Sequence, residues 1–126
     1  MTKFLTRISC VFATFALILS LGGFSGQSGD GSQKTITGEV TDTFCAPSRS
    51  HAGMMAKMPN MGRDAASCTR ECAKIGAKYV ILDDGDGKIY QVEDQAKIAE
   101  SAGRRVKVTG TLTANRIKVT NISAIS

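Results

Sequence analysis

Aromatic residues are scarce in this chain and tryptophan is absent. Beyond residue 33 only Phe44, Tyr79 and Tyr90 remain. That is too few for the row of stacking side chains that holds single-stranded nucleic acid. Charge of one sign is not in excess either. All eleven acidic residues and fourteen of the sixteen basic ones lie beyond residue 25, which leaves that part at +3. So mild a balance favours solubility over dedicated nucleic-acid binding. Long apolar runs are also missing. The longest, Ile8 to Leu21, is shorter than the roughly 20 residues a membrane-spanning helix needs.

That run has the length of a secretory signal core, about 7–15 residues, and it follows Lys3 and Arg7. Small residues come next, at Gly22, Gly23, Ser25 and Gly26. Residues 1–25 therefore read as a signal peptide, with a periplasmic or secreted product and no stable membrane anchor after cleavage. Cys10 sits near the start of the run, whereas a lipid-modified cysteine would follow it. The stretch 26–33 is rich in Gly, Ser and Gln and reads as a flexible linker. Residues 34–126 are left to fold as one domain, and so short a chain builds only a modest core.

Within the domain, hydrophobic alternation predicts strands over 34–42, 78–83, 88–93, 104–113 and 116–125. The Asp84-Gly85-Asp86-Gly87 run predicts a hairpin turn, and Ala114-Asn115 predicts a tight turn. The apolar phase of the last strand slips between Val119 and Ile122, which predicts a bulge near Thr120 or Asn121. Asp64 as N-cap and Gly76 as terminator bound a helix carrying Ala65, Cys68, Cys72 and Ile75 on one face. Asp94 and Gly103 bound a second short helix with Gln95, Ile98, Ala99 and Ala102 inward. Both prolines fall in 43–63, which reads as a long loop with a helical turn around His51 to Met58. There is no internal repeat.

Five strands with a helix between the third and fourth predict a mainly β fold with two short helices, an OB-like five-stranded barrel. Gly38 and Gly110, in mid-strand, suit the corners of such a barrel. The alternative is an open antiparallel sheet with helices on one side. The motifs TGEVTDTFC, CTRECAKIGAKYVI and GRRVKVTGTL resemble a family of small exported bacterial proteins with a domain of unknown function. The resemblance spans about Lys34 to Ile125. It implies a barrel-like domain outside the cytoplasm, and no reaction.

Catalytic signatures are lacking. Cys45 and His51 have no orienting residue or glycine-rich oxyanion turn set by motif, so a thiol hydrolase is set aside. The CxxxC of Cys68 and Cys72 is not the CxxC of thioredoxin-like enzymes, though a redox pair remains a weaker reading. The aspartates from 83 to 86 lack the twelve-residue loop and closing Glu of a calcium hand. What is present is a cluster of soft donors. Cys45, His51 (the only histidine), Cys68 and Cys72 lie between the first two strands, in an insertion at 43–76. Cysteine and histidine bind zinc, and thiolates with thioethers suit Cu(I). Two cysteines four apart on a helix face the same way. The four residues thus form a candidate Zn or Cu site in a non-catalytic binding module. The spacing C-x5-H-x16-C-x3-C is no standard finger.

The competing reading is a disulfide, the usual fate of exported cysteines. A bridge within the helix, from Cys68 to Cys72, would be strained. Cys45 with Cys68 or with Cys72 is then the expected pair, adding roughly 3 kcal/mol. Such a stapled domain would bind a saccharide, an envelope component or a protein partner. Met54, Met58 and Met61 read as a face packed on the barrel, with ligation as the alternative.

Overall fold

A computed structural model describes residues 31–126. The expected signal and residues 26–30 of the expected linker lie outside the described residues. Among the described residues no helix is long and apolar enough to cross a membrane.

Five strands carry the fold: β1 (Ser32–Asp42), β2 (Tyr79–Asp83), β3 (Ile89–Val92), β4 (Arg105–Thr113) and β5 (Arg116–Ala124). β1 opens two residues before the expected start, because Ser32 and Gln33 pair with Leu112 and Thr111. β3, β4, β5 and most of β1 bury alternate residues, while β2 buries Val80 and Ile81 in succession. Ile36 and Val40 of β1, Val106 and Val108 of β4, and Ile117 of β5 are almost fully shielded. They meet Ile81, Tyr90 and Ile98 in one core.

The strands close into a barrel in the order β1-β2-β3-β5-β4. β4 returns to β1 antiparallel, and a short parallel pairing of β3 with β5 shuts the remaining gap. The closed five-stranded barrel is OB-like, and closure rules out the open-sheet alternative. The expected bulge is present. Thr109 faces Asn121 while Gly110 faces Val119, so Thr120 is the extra residue. Its hydroxyl donates to the Thr109 carbonyl at 2.9 Å.

Among the described residues three helices accompany the barrel: α1 (His51–Lys57), α2 (Ala65–Lys74) and α3 (Gln95–Ala99). α3 sits between β3 and β4, with Ile98 in the core. Its Gln95 amide accepts from the Tyr79 N–H and donates to the Tyr79 and Val92 carbonyls, which ties β2 to β3. The expected helical turn near His51 is a full seven-residue helix, capped by Ser50, whose hydroxyl accepts from Gly53 N–H. In α2, Asp64 and Ser67 form a reciprocal capping box. Ile75 does not share the inner face: as C-cap it turns out and is 54% exposed. The acidic turn after β2 is explained by its own backbone. Asp83 accepts from Gly85 and Asp86 N–H, and Asp86 accepts from Lys88 N–H.

Candidate metal centre

The end of β1 sets the site. Glu39 and Thr41 point to the outside of the barrel on one strand face, and Asp42 is the last residue of the strand. Asp42 is wholly buried. Its Oδ1 accepts from the Phe44 and Cys45 N–H groups at 2.9 and 3.0 Å. This turn bends the chain sharply and delivers the Cys45 sulfur beneath the insertion. α2 then lays Cys68 and Cys72 against it from one face.

Cys45, Cys68 and Cys72 are all buried and form, with Met61 and Ala77, a small second core apart from the barrel interior. The Cys45 and Cys68 sulfurs stand 3.9 Å apart, and all three cysteines are free thiols. This corrects the expected disulfide: a bonded pair would sit at about 2.05 Å. Two sulfurs on one tetrahedral zinc, with bonds of about 2.3 Å, lie roughly 3.8 Å apart. The observed spacing fits that geometry.

Two overlapping triads share Cys45. In each, the donor atoms lie within 4.8 Å of one another. One is Cys45, His51 and Cys68; the other is Asp42, Cys45 and Cys72. The four residues expected from the sequence therefore fall into one neighbourhood, and Asp42 joins them. Sequence reasoning missed Asp42. An aspartate closing a strand reads as a turn residue, and only its position ahead of Cys45 in TDTFC hinted at more.

Two polar atoms of this neighbourhood are buried without a partner. They are Asp42 Oδ2 and His51 Nδ1. An unpaired buried carboxylate oxygen is costly unless a cation faces it. Among the described residues no salt bridge reaches Asp42. The other imidazole nitrogen, Nε2, is engaged: it lies 2.7 Å from Glu39 Oε1. Thr41 Oγ1 stands 3.4 Å from the same nitrogen.

The electrostatics agree with a site short of positive charge. Burial, then the Asp42 carboxylate, then the neighbouring Cys68 push the Cys45 thiol far above its ordinary value. Burial first, then Asp42 and Cys68, raise Cys72 to about 11. Hydrogen bonding to Glu39 raises the His51 imidazole, against the opposing effect of burial. Both thiols hold their protons at neutral pH until something displaces them.

The methionines do not form one face. Met61 is buried, with its sulfur 3.9 Å from that of Cys72. Met54 and Met55 rest against the sulfur cluster, and Met58 is 41% exposed. A cleft of about 300 Å³ with a mixed lining lies elsewhere, bordered by Lys78, Val92, Gln95 and Arg116 among others. It holds no convergent set of donors comparable to the thiol cluster.

Residues 75–125 match the model of a family described as a protein of unknown function (DUF5818). The match spans β2 to β5 and agrees with the resemblance to proteins carrying a domain of unknown function. Every donor of the thiol cluster lies before residue 75, outside the matched segment. No curated protein and no solved structure matches the chain.

Proposed function

We propose that this chain is an exported, non-catalytic module that holds one soft or borderline metal ion, zinc or copper, in the insertion between β1 and β2. Cys45, Cys68, Cys72 and His51 are its ligands, with Asp42 facing the ion through its free oxygen. One observation carries the reading: the triads Cys45-His51-Cys68 and Asp42-Cys45-Cys72 meet at Cys45, and Asp42 Oδ2 and His51 Nδ1 are buried and unpartnered. A cation there would satisfy both atoms and offset the charge of the thiolates. Copper(I) would draw further on the Met61 thioether, and zinc on His51 and Asp42.

The thiols themselves favour a non-catalytic role. Reactive cysteines are partly exposed and have lowered pKa values. Cys45 and Cys72 are buried and raised.

Elemental analysis tests the reading. The full chain is prepared with its thiols reduced, offered Zn²⁺ or Cu⁺, and desalted. About one equivalent of one ion should remain, and the three inner cysteines should resist alkylation until a chelator is added. Retention below about a tenth of an equivalent of both ions would overturn it.

A further inference from the structure

Glu39 has no obvious reason to lean on His51. It sits in mid-strand, held on both sides by ladder pairing: Leu82 of β2 faces it on one edge and Arg105 of β4 on the other. Arg105 is the natural ion-pair partner across the sheet, yet its guanidinium goes to Asp84 at 2.6 Å. The Glu39 carboxylate goes instead to the imidazole of α1, at 2.7 Å.

A plain tether between α1 and the barrel would explain that contact alone. It would not explain the far side of the ring. Nδ1 is buried and meets no partner, and the ring reaches the Cys45 and Cys68 sulfurs within the same triad. Histidines that bind metals almost always donate their second ring N–H to a carboxylate, a backbone carbonyl or water, which fixes the tautomer and the ring angle. The arrangement here has that form, with the carboxylate fixed on the rigid sheet and the imidazole on the insertion.

We propose that Glu39 is a positioning residue for the metal centre: by accepting the Nε2 proton of His51 it presents Nδ1 to the ion. This rests on the metal reading above and adds a residue, a tautomer and a ligating atom to it. Glu39 itself touches no metal. Its role is to hold the ring from a strand paired on both edges.

The chain has a single histidine. The imidazole ¹⁵N spectrum of the full chain, labelled at histidine, therefore reports on His51 alone. In the zinc-loaded wild type, Nε2 should carry the proton and Nδ1 should show the shift of a metal-bound nitrogen. Glu39→Gln should keep the barrel, judged by circular dichroism, and lower zinc affinity about 10–100-fold in competition with a chromophoric chelator. Its imidazole spectrum should lose the single fixed tautomer. Zinc found on Nε2 in the wild type overturns the inference without need of any variant. So does a Glu39→Gln protein with unchanged affinity and tautomer. A wild type that binds no zinc or copper at all overturns the metal reading together with this one, and that outcome is distinct from the other two.

Discussion

Asp42 performs two tasks with its two oxygens. Oδ1 closes the turn that carries the chain from β1 to Cys45. Oδ2 is left bare in the interior beside the thiols. The first task explains why an acid or its amide belongs here, and only the second needs a charge. Substituting Asp42→Asn separates them, because an amide oxygen still accepts the two N–H groups. In the metal-free protein that substitution should lower the thiol pKa values. Asp42 stands second only to burial in raising Cys45 and Cys72, and removing a nearby like charge favours the ionised thiolate. Ultraviolet thiolate absorbance against pH reads this directly. An unmoved onset of ionisation would mean that the carboxylate does not act on the sulfurs. The sign for binding follows from the same shifts. Raised thiols must shed protons to bind, so affinity should grow with rising pH and zinc uptake should release protons. Only the first task of Asp42 is of a kind that a sequence can suggest. An aspartate at the end of a strand is ordinary turn chemistry, and its burial comes from the insertion folding back over it. Glu39 was hidden for a similar reason, since in KTITGEVTD it is one of the polar residues that alternate with Ile36 and Val40.

At the scale of elements, legibility follows periodicity. The strands and α2 announced themselves through alternation and caps, and the slip from Val119 to Ile122 put the bulge near Thr120 or Asn121, of which the pairing selects Thr120. α1 was legible only as a turn. It buries no residue, carries Gly53 inside it and ends near Pro59, so no apolar stripe marks it. Its cap, Ser50 onto Gly53 N–H, was the one local signal. The free thiols could not be read at all. Whether two cysteines bond depends on approach in space, and 3.9 Å is close without being a bond. The strand glycines were legible as corners, and the packing gives the cause. A Cβ on Gly38 would collide with the Leu82 carbonyl of β2, and one on Gly110 with the Lys118 carbonyl of β5. Glycine there lets neighbouring backbones approach as the sheet curls shut. Gly38→Ala should thus destabilise the barrel by about 1–3 kcal/mol, as other over-packing changes do. Urea unfolding measures it. An unchanged midpoint would show that β1 and β2 can part at no cost. Because Glu39 follows Gly38 directly, a shift of β1 should also disturb the carboxylate facing His51.

At the scale of the whole fold, the described residues form two cores of unequal standing. The barrel core gathers aliphatic side chains from all five strands and from α3. The insertion core is little more than three thiols, Met61 and Ala77. A helix as short as α1 does not persist alone in water. The polar ties of the insertion to the barrel include Glu39 and Thr41 to His51, the Arg49 guanidinium to the Gly87 carbonyl, and Thr43 to Lys78 through N–H to carbonyl and N–H to hydroxyl. So small a core gains most from an ion at its centre. An ion that binds only the folded insertion, present at about 100 times its Kd, should raise the protection of that segment roughly 100-fold. Hydrogen exchange followed by mass spectrometry distinguishes the parts. Adding a chelator to the loaded protein should speed exchange across residues 43–76, while β4 and β5, deep in the closed barrel, should change little. If the barrel strands loosened to the same extent, the two cores would be one cooperative unit and the ion would stabilise the fold as a whole. If no peptide responded, the sulfurs would hold the insertion together as packed thiols and the ion would have no structural part in it.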